Sequence, residues 1–247
     1  MKKRVLDIPD NETGIRLNKY LSDAGFCSRR QADKLVDDGK IMIDGQVATL
    51  GTKVFPGQKV TCDGKEIVSN EELILIALNK PRGIECTSNL SVKNNIIDFV
   101  KYPKRIYPIG RLDKDSQGLI LLTNDGSLVN RILKGSNDHE KEYEVVVDKP
   151  ITDEFIRQME KGVEILDTVT KPCKVSRISK CKFKIVITQG LNRQIRRMCE
   201  ALGYRVRELK RIRIMNIHLG TLKLGEYKDV SKKEYTELLE QLKKSHS

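Results

Sequence analysis

Residues 73–78 read Leu-Ile-Leu-Ile-Ala-Leu, six apolar side chains in unbroken succession. Successive side chains of a strand leave opposite faces, so a run that is apolar on both faces has to be covered on both. Asn79-Lys-Pro-Arg-Gly83 breaks the run immediately, which makes it too short for a core helix and predicts an interior strand. A chain built around such a strand needs a sheet with further elements packed against it.

The residues ahead of this strand follow a different plan. Leu17, Tyr20, Leu21 and Ala24 recur at helical spacing, and Gly25 stops the helix they predict. Ser28-x-x-Gln31 is a capping box for a second helix, with Ala32, Leu35 and Val36 inward and Gly39 at its end. Ile41-Met42-Ile43 and Gln46-Val47-Ala48 flank Asp44-Gly45, the sequence of a tight hairpin. A strand-like run, Lys59 to Cys62, then turns through Asp63-Gly64. The polar stretch Val68-Ser-Asn-Glu-Glu72 is the candidate linker, leaving a small helix–helix–hairpin domain over 14–67 and a larger one over 73–242.

In the larger domain, strands are expected at Leu119–Leu122, Glu142–Val147, Lys171–Ile178 and Lys182–Thr188. Helical patterns fall at Ser127–Leu133, Thr152–Lys161 and Asn192–Leu202, and a closing helix starts at the capping box Ser231-x-x-Glu234. Strands with irregularly placed helices argue for an α+β fold and against a regular βαβ repeat.

Charge narrows the function. The net charge is +12, which favours a polyanionic partner. Half of that excess lies between Arg193 and Arg213, where eight basic residues stand against Glu200 and Glu208; the segment reads as a phosphate-contacting surface. No apolar run approaches the roughly 18 residues that a membrane span requires. The N-terminal MKKRVLDIPDNETG has no apolar stretch behind its basic residues, so it is not a secretory signal and the cytoplasm is expected. The six cysteines form no C-x-x-C pair and none of the three histidines stands at zinc-finger spacing from one. Reduced thiols and no metal site are expected.

Two local patterns bear on chemistry. Ser28-Arg29-Arg30 puts two guanidinium groups at the start of a helix, where free backbone N–H groups also favour phosphate. With Arg16-Leu-Asn-Lys-Tyr-Leu21, Ala24-Gly-Phe-Cys-Ser-Arg-Arg30, Ala32, Gly39 and Asp44-Gly45, this region resembles the S4 RNA-binding fold. The resemblance implies RNA contacts by Arg16, Lys19, Arg29 and Arg30.

Further on, Pro108-Ile-Gly-Arg-Leu-Asp-Lys-Asp-Ser-Gln-Gly-Leu-Ile-Leu-Leu-Thr-Asn-Asp-Gly126 places Asp113 and Asp115 in a glycine-bearing loop before an apolar strand. Turn chemistry is the commoner use of an aspartate in such a loop. The extended block, however, resembles the catalytic motif of RNA pseudouridine synthases, in the branch typified by RsuA, RluB, RluE and RluF. The resemblance makes Asp113 the catalytic aspartate and leaves Asp115 aside. Lys141-Glu-Tyr-Glu-Val145 is similar to a second family motif, in which Tyr143 packs beside the target base. Gln189-Gly-Leu-Asn-Arg-Gln-Ile-Arg-Arg-Met-Cys199 is similar to a third, in which Arg196 pairs with Asp113. Asn192 could cap that helix. Arg193 and Arg197 are expected on RNA phosphates, and Arg111, Lys141, Arg211 and Arg213 are further expected RNA contacts.

The family resemblance implies an α+β catalytic domain with a mixed, largely antiparallel central sheet, a monomer, and no cofactor. It implies that a uridine is flipped out, its N1–C1′ bond broken and its base rejoined through C5. Whether the aspartate attacks C1′, adds to the base or removes the 2′ proton is left open by the residues. Asn137–Tyr143, Val169–Lys174 and Arg211–Asn216 resemble the RluF type most, which implies large-subunit (23S) ribosomal RNA as substrate, with a tRNA anticodon uridine as a second target. Two rivals stand beside this reading. An S4-module RNA methyltransferase would need a glycine-rich cofactor loop, and the chain has no Gly-x-Gly. A non-catalytic S4-type RNA-binding protein would leave the Asp113, Tyr143 and Arg196 motifs without a task.

Overall fold

The computed structural model describes residues 14–67, 72–133 and 138–244. Two compact units emerge. One runs to Ile74 and takes in Asn124–Gly126; the other comprises Leu75–Thr123 and Ser127–Ser247. Residues 68–71 of the expected linker lie outside the described residues.

The first unit contains β1 (Ile15–Arg16), α1 (Leu17–Asp23), α2 (Arg29–Asp37), β2 (Ile41–Ile43), β3 (Gln46–Val47), β4 (Lys53–Val54), β5 (Val60–Cys62) and β6 (Lys65–Glu66). The capping box of α2 forms in full: the Gln31 amide donates to Ser28 Oγ at 3.2 Å, and the Ser28 amide donates to Gln31 Oε1 at 2.9 Å. Asp44 and Gly45 both take positive φ, 52° and 81°, as a tight hairpin between right-twisted strands requires. The antiparallel order β3-β2-β5-β6 backs onto both helices around Leu17, Leu21, Ala32, Val36, Ile41 and Val60. The β1–β4 pair has too few residues to leave a periodic signal in the sequence.

The second unit contains β7 (Leu75–Lys80), α3 (Ile96–Val100), β8 (Tyr107–Pro108), β9 (Gln117–Thr123), α4 (Gly126–Leu133), β10 (Lys141–Val147), α5 (Asp153–Lys161), β11 (Glu164–Ile165), β12 (Thr168–Val169), β13 (Lys174–Ser179), β14 (Lys182–Ile187), α6 (Gln194–Ala201), β15 (Val206–Ile214), β16 (Ile217–His218), β17 (Tyr227–Asp229) and α7 (Lys232–Lys244). Its central sheet has the order β13-β14-β10-β15-β9-β7-β17. The β15–β9 pair is parallel and its other neighbours are antiparallel, so the fold is α+β with a mixed, largely antiparallel sheet. Every residue of β7 is buried, as a two-face apolar run demands. Leu119 and Leu121 of β9, with Leu75 and Ala77 of β7, pack under Leu128 and Ile132 of α4 and Leu238 and Leu242 of α7. No helix among the described residues is long and apolar enough to cross a membrane.

Three expectations are corrected. β7 begins two residues later than the apolar run and carries Asn79 and Lys80 inside, because the Lys80 ammonium finds the Pro81 and Ile84 carbonyl oxygens at 2.9 and 2.8 Å. Asn192 does not cap α6: the N-cap is Arg193, in a left-handed conformation (φ 51°) with no side-chain cap bond. The basic segment after α6 is not one continuous surface, because Val206–Ile214 is an interior strand of the sheet.

Candidate active site

Sheet register brings the motifs together. Tyr143 of β10 stands opposite Arg211 of β15, and Arg211 stands opposite Gly118 of β9. One row across three strands thus joins the tyrosine motif, the basic strand and the end of the Asp113 loop. Gly118 makes the close approach feasible. Its φ is 106°, and a Cβ there would stand 2.3 Å from the Arg211 carbonyl oxygen and 2.7 Å from its nitrogen.

Asp113 lies in the loop between β8 and β9. The turn closes on itself, the Ser116 amide donating to the Asp113 carbonyl oxygen at 3.0 Å. Arg211 braces the loop at both ends: Nε donates to the Leu119 carbonyl oxygen at 2.7 Å and Nη1 to that of Arg111 at 3.5 Å. Arg211 is only 4% exposed. It is therefore a buried brace with its guanidinium 5.9 Å from the Tyr143 ring centre, and it does not sit on the surface where the sequence expectation puts a phosphate contact.

Two guanidinium groups approach the Asp113 carboxylate. Arg193 Nη1 lies 3.6 Å from Oδ2 and Arg196 Nε 3.7 Å from the same oxygen. They differ in support. The Arg196 side chain is largely withdrawn from solvent, and its Nη2 donates to Ser116 Oγ at 3.1 Å and to the Asp115 carbonyl oxygen at 3.2 Å. Arg193 is exposed, so water screens its pairing more heavily. Burial, and next the charge of Arg193, push the Arg196 guanidinium below its ordinary pKa, against the pull of Asp113 and Asp115. Its Nε is a buried donor with no hydrogen-bond partner. The pair is in place but not closed, as catalytic contacts often are before substrate binds.

Asp113 and Tyr143 line one cavity of about 640 Å³, together with Arg111, Lys141, Arg193 and Arg211. This is the size range of a small-molecule site, and among its described lining residues four cations face one carboxylate. Tyr143 is 7% exposed. Lys141 is half-buried here, with its ammonium donating to the His139 carbonyl oxygen at 3.2 Å.

The remaining expected contacts are scattered. Arg197 turns back on its own helix start, donating to the Asn192 carbonyl oxygen at 3.1 Å and to its Oδ1 at 3.2 Å. Arg213, an expected RNA contact, pairs with Glu142 at 2.7 Å and Glu140 at 2.9 Å. In the first unit, Arg16, Arg29 and Arg30 are exposed, and Lys19 pairs with Asp23 at 3.2 Å. Ser116, fully buried, holds the Arg196 guanidinium by its hydroxyl; it stands in the Asp113 motif with no role evident from sequence. Its place between Asp113 and the apolar strand Leu119–Leu122 is the signal the sequence offers.

Two family models match the chain: the S4 domain over residues 15–60 and RNA pseudouridylate synthase over residues 74–201. The chain belongs to the RNA pseudouridylate synthase family and carries an S4 domain, and its reaction is the isomerisation of uridine in RNA. It is 53% identical over 97% of its length to the dual-specificity RNA pseudouridine synthase RluF of Escherichia coli (strain K12), covering 83% of that protein. It is 37% identical over 90% of its length to the ribosomal large subunit pseudouridine synthase B of Bacillus subtilis (strain 168), covering 95% of that protein. A crystal structure of a pseudouridylate synthase matches at a TM-score of 0.68 and 28% identity, over 91% of this chain and 99% of the other.

Proposed function

We propose that this enzyme converts a specific uridine of 23S ribosomal RNA, and an anticodon uridine of tRNA, to pseudouridine, with Asp113 as its catalytic carboxylate. The observation that carries the reading is the Asp113 carboxylate, flanked by Arg193 and Arg196 in a cavity that also presents Tyr143. The choice of RNA is supported by the names of the two relatives, one dual-specificity and one acting on the large ribosomal subunit. Residues 14–67 act as the RNA-binding domain and residues 73–242 as the catalytic domain of a monomer working in the cytoplasm.

The chemistry follows from the parts. A base inside a helix cannot reach a cavity of this kind, so the target uridine is flipped out and its ring stacks on Tyr143. Arg196, anchored by Ser116, closes on Asp113 as counter-charge and fixes the carboxylate beside the sugar. The carboxylate then takes up C1′ or the 2′ proton as the N1–C1′ bond breaks. Arg111, Arg193 and Arg197, with Arg16, Lys19, Arg29 and Arg30 of the first unit, grip phosphates, a hold that weakens as salt rises.

Incubation of the protein alone with 23S rRNA and tRNA transcripts, followed by carbodiimide-stop primer extension, tests the reading. New stops are expected in both RNAs. No new stop in either would overturn the proposed substrates, and a stop in one alone would remove the other.

A further inference from the structure

The cavity around Asp113 holds a half-buried amine that pairing with the aspartate and stacking on the tyrosine leave without a task. Lys141 opens β10 two residues ahead of Tyr143, so strand alternation puts both on one face, and both line the cavity. The opposite face carries the ion pairs of this strand: Glu142 with Lys184 and Arg213, and Glu144 with Lys182. Among the described residues no carboxylate lies within ion-pair distance of Lys141. Its flanking partners in register are apolar, Ile187 of β14 and Ile214 of β15.

The ionisable groups that share the cavity with it are Arg111 and Asp113 from the loop before β9, His139 and Tyr143 from its own segment, Arg193 at the start of α6, and Arg211 from β15. Burial, and next the like charge of Arg211, push the Lys141 amine down to about 8. Arg211 itself keeps Nη2 buried without a hydrogen-bond partner. A half-buried ammonium and a buried guanidinium with an open N–H thus line one cavity. Such an arrangement costs stability unless a ligand brings negative charge to it.

Uridine isomerisation supplies that charge. When N1–C1′ breaks, its electron pair stays on the uracil, spread over N1, O2 and O4. C5 then gives an electron pair to C1′, and the Asp113 carboxylate is restored. The C5 proton leaves and N1 takes up a proton, so product and substrate have the same atoms. We propose that the Lys141 ammonium is the donor and counter-charge that holds the detached uracil anion by a carbonyl oxygen while the ring turns beside Tyr143. This rests on the assignment of the cavity as the isomerisation site, and it makes Lys141 a catalytic residue where the sequence suggests an RNA contact.

The test uses the full chain in excess over 23S rRNA and tRNA transcripts made with uridine tritiated at C5, which release tritium to water as the C5 proton leaves. Lys141→Met should slow release at saturation by about 100-fold or more, the usual cost of losing one preorganised donor, with RNA affinity unchanged. Lys141→Arg should recover much of the rate. In wild type, kcat/KM should fall above about pH 8, because the cationic form is required; the kcat limb should lie higher, because the bound anion favours the ammonium. The Arg variant should lack the fall.

A Met variant with the wild-type saturating rate, weaker RNA binding and a shallower salt dependence would make Lys141 a phosphate contact and overturn the proposal. Should the Met variant lose its cooperative unfolding transition, the wild-type profile decides, and a flat kcat/KM up to about pH 9.5 overturns it. Wild-type protein that releases no tritium would overturn the isomerisation assignment along with the proposal, and is distinguished by that result.

Discussion

Ser116 has no contact with substrate in this account, yet the rate should depend on its hydroxyl. The side chain is fully buried, and its Oγ accepts from Arg196 Nη2 at 3.1 Å; the same nitrogen also donates to the Asp115 carbonyl oxygen at 3.2 Å. These two bonds hold the guanidinium while its Nε waits 3.7 Å from Asp113. Ser116→Ala removes one of them. A hydrogen bond to a charged group contributes about 1.5–3 kcal/mol, and because the Asp115 carbonyl oxygen remains, the lower end applies. Expressed in the transition state, about 1.5 kcal/mol is roughly a tenfold loss of rate. Single-turnover tritium release at saturating RNA should show that loss with RNA affinity unchanged. In an Arg196→Met background the same substitution should add little, since the two residues act as a unit. A rate within about twofold of wild type, or a full additional loss in the Arg196→Met background, would refute the reasoning.

Two further predictions concern the frame around the site. Gly118→Ala combines a positive φ, worth about 1–3 kcal/mol of strain, with a Cβ driven into the Arg211 backbone at 2.3 Å. A loss of about 3 kcal/mol should lower the Tm of the catalytic unit by about 6–12 °C, measured by calorimetry; a change under about 2 °C would mean that β9 and β15 separate freely. Burial alone would raise the Glu142 carboxyl, but hydrogen bonds from Arg213 and Lys184 overcome it and hold the group below its ordinary value. Its contribution is therefore present above the ordinary carboxylate range and lost as pH falls through the lowered value. Glu142→Gln should cost about 2 kcal/mol at pH 7, the range for hydrogen bonds to a charged group, with the difference from wild type shrinking as pH falls below the ordinary carboxylate range in urea unfolding series; a constant difference would contradict the pairing.

The parts of the molecule that show in the sequence are those specified by neighbours in the chain. Gly25, Gly39 and Asp44-Gly45 announce the breaks of the first unit because a positive φ is a local demand. The Ser28 capping box is a local exchange of hydrogen bonds. The interior strand shows because six apolar residues in a row have few other homes. What stayed hidden depends on distant partners. Counting charge from Arg193 to Arg213 suggests one RNA-facing surface, but the segment is a helix and then a strand. In that strand Arg211 is sealed beneath Tyr143 and Arg213 is matched by Glu140 and Glu142. Only the parallel pairing of Arg211 with Gly118 shows why a basic residue belongs in the interior there. The resemblance of the motifs pointed to Asp113, Tyr143 and Arg196. The second guanidinium at Asp113, from Arg193 in a left-handed N-cap, could not be read from spacing.

Asp113→Asn compared with wild type reads out whether the Asp113 carboxylate carries the chemistry at the N1–C1′ bond. The exchange keeps the side chain's shape and removes its charge. With the same tritiated transcripts, the variant should bind RNA as tightly as wild type and release tritium at least about 1,000-fold more slowly, within the range for loss of a positioned catalytic group. Tritium release at the wild-type rate would remove Asp113 from the chemistry.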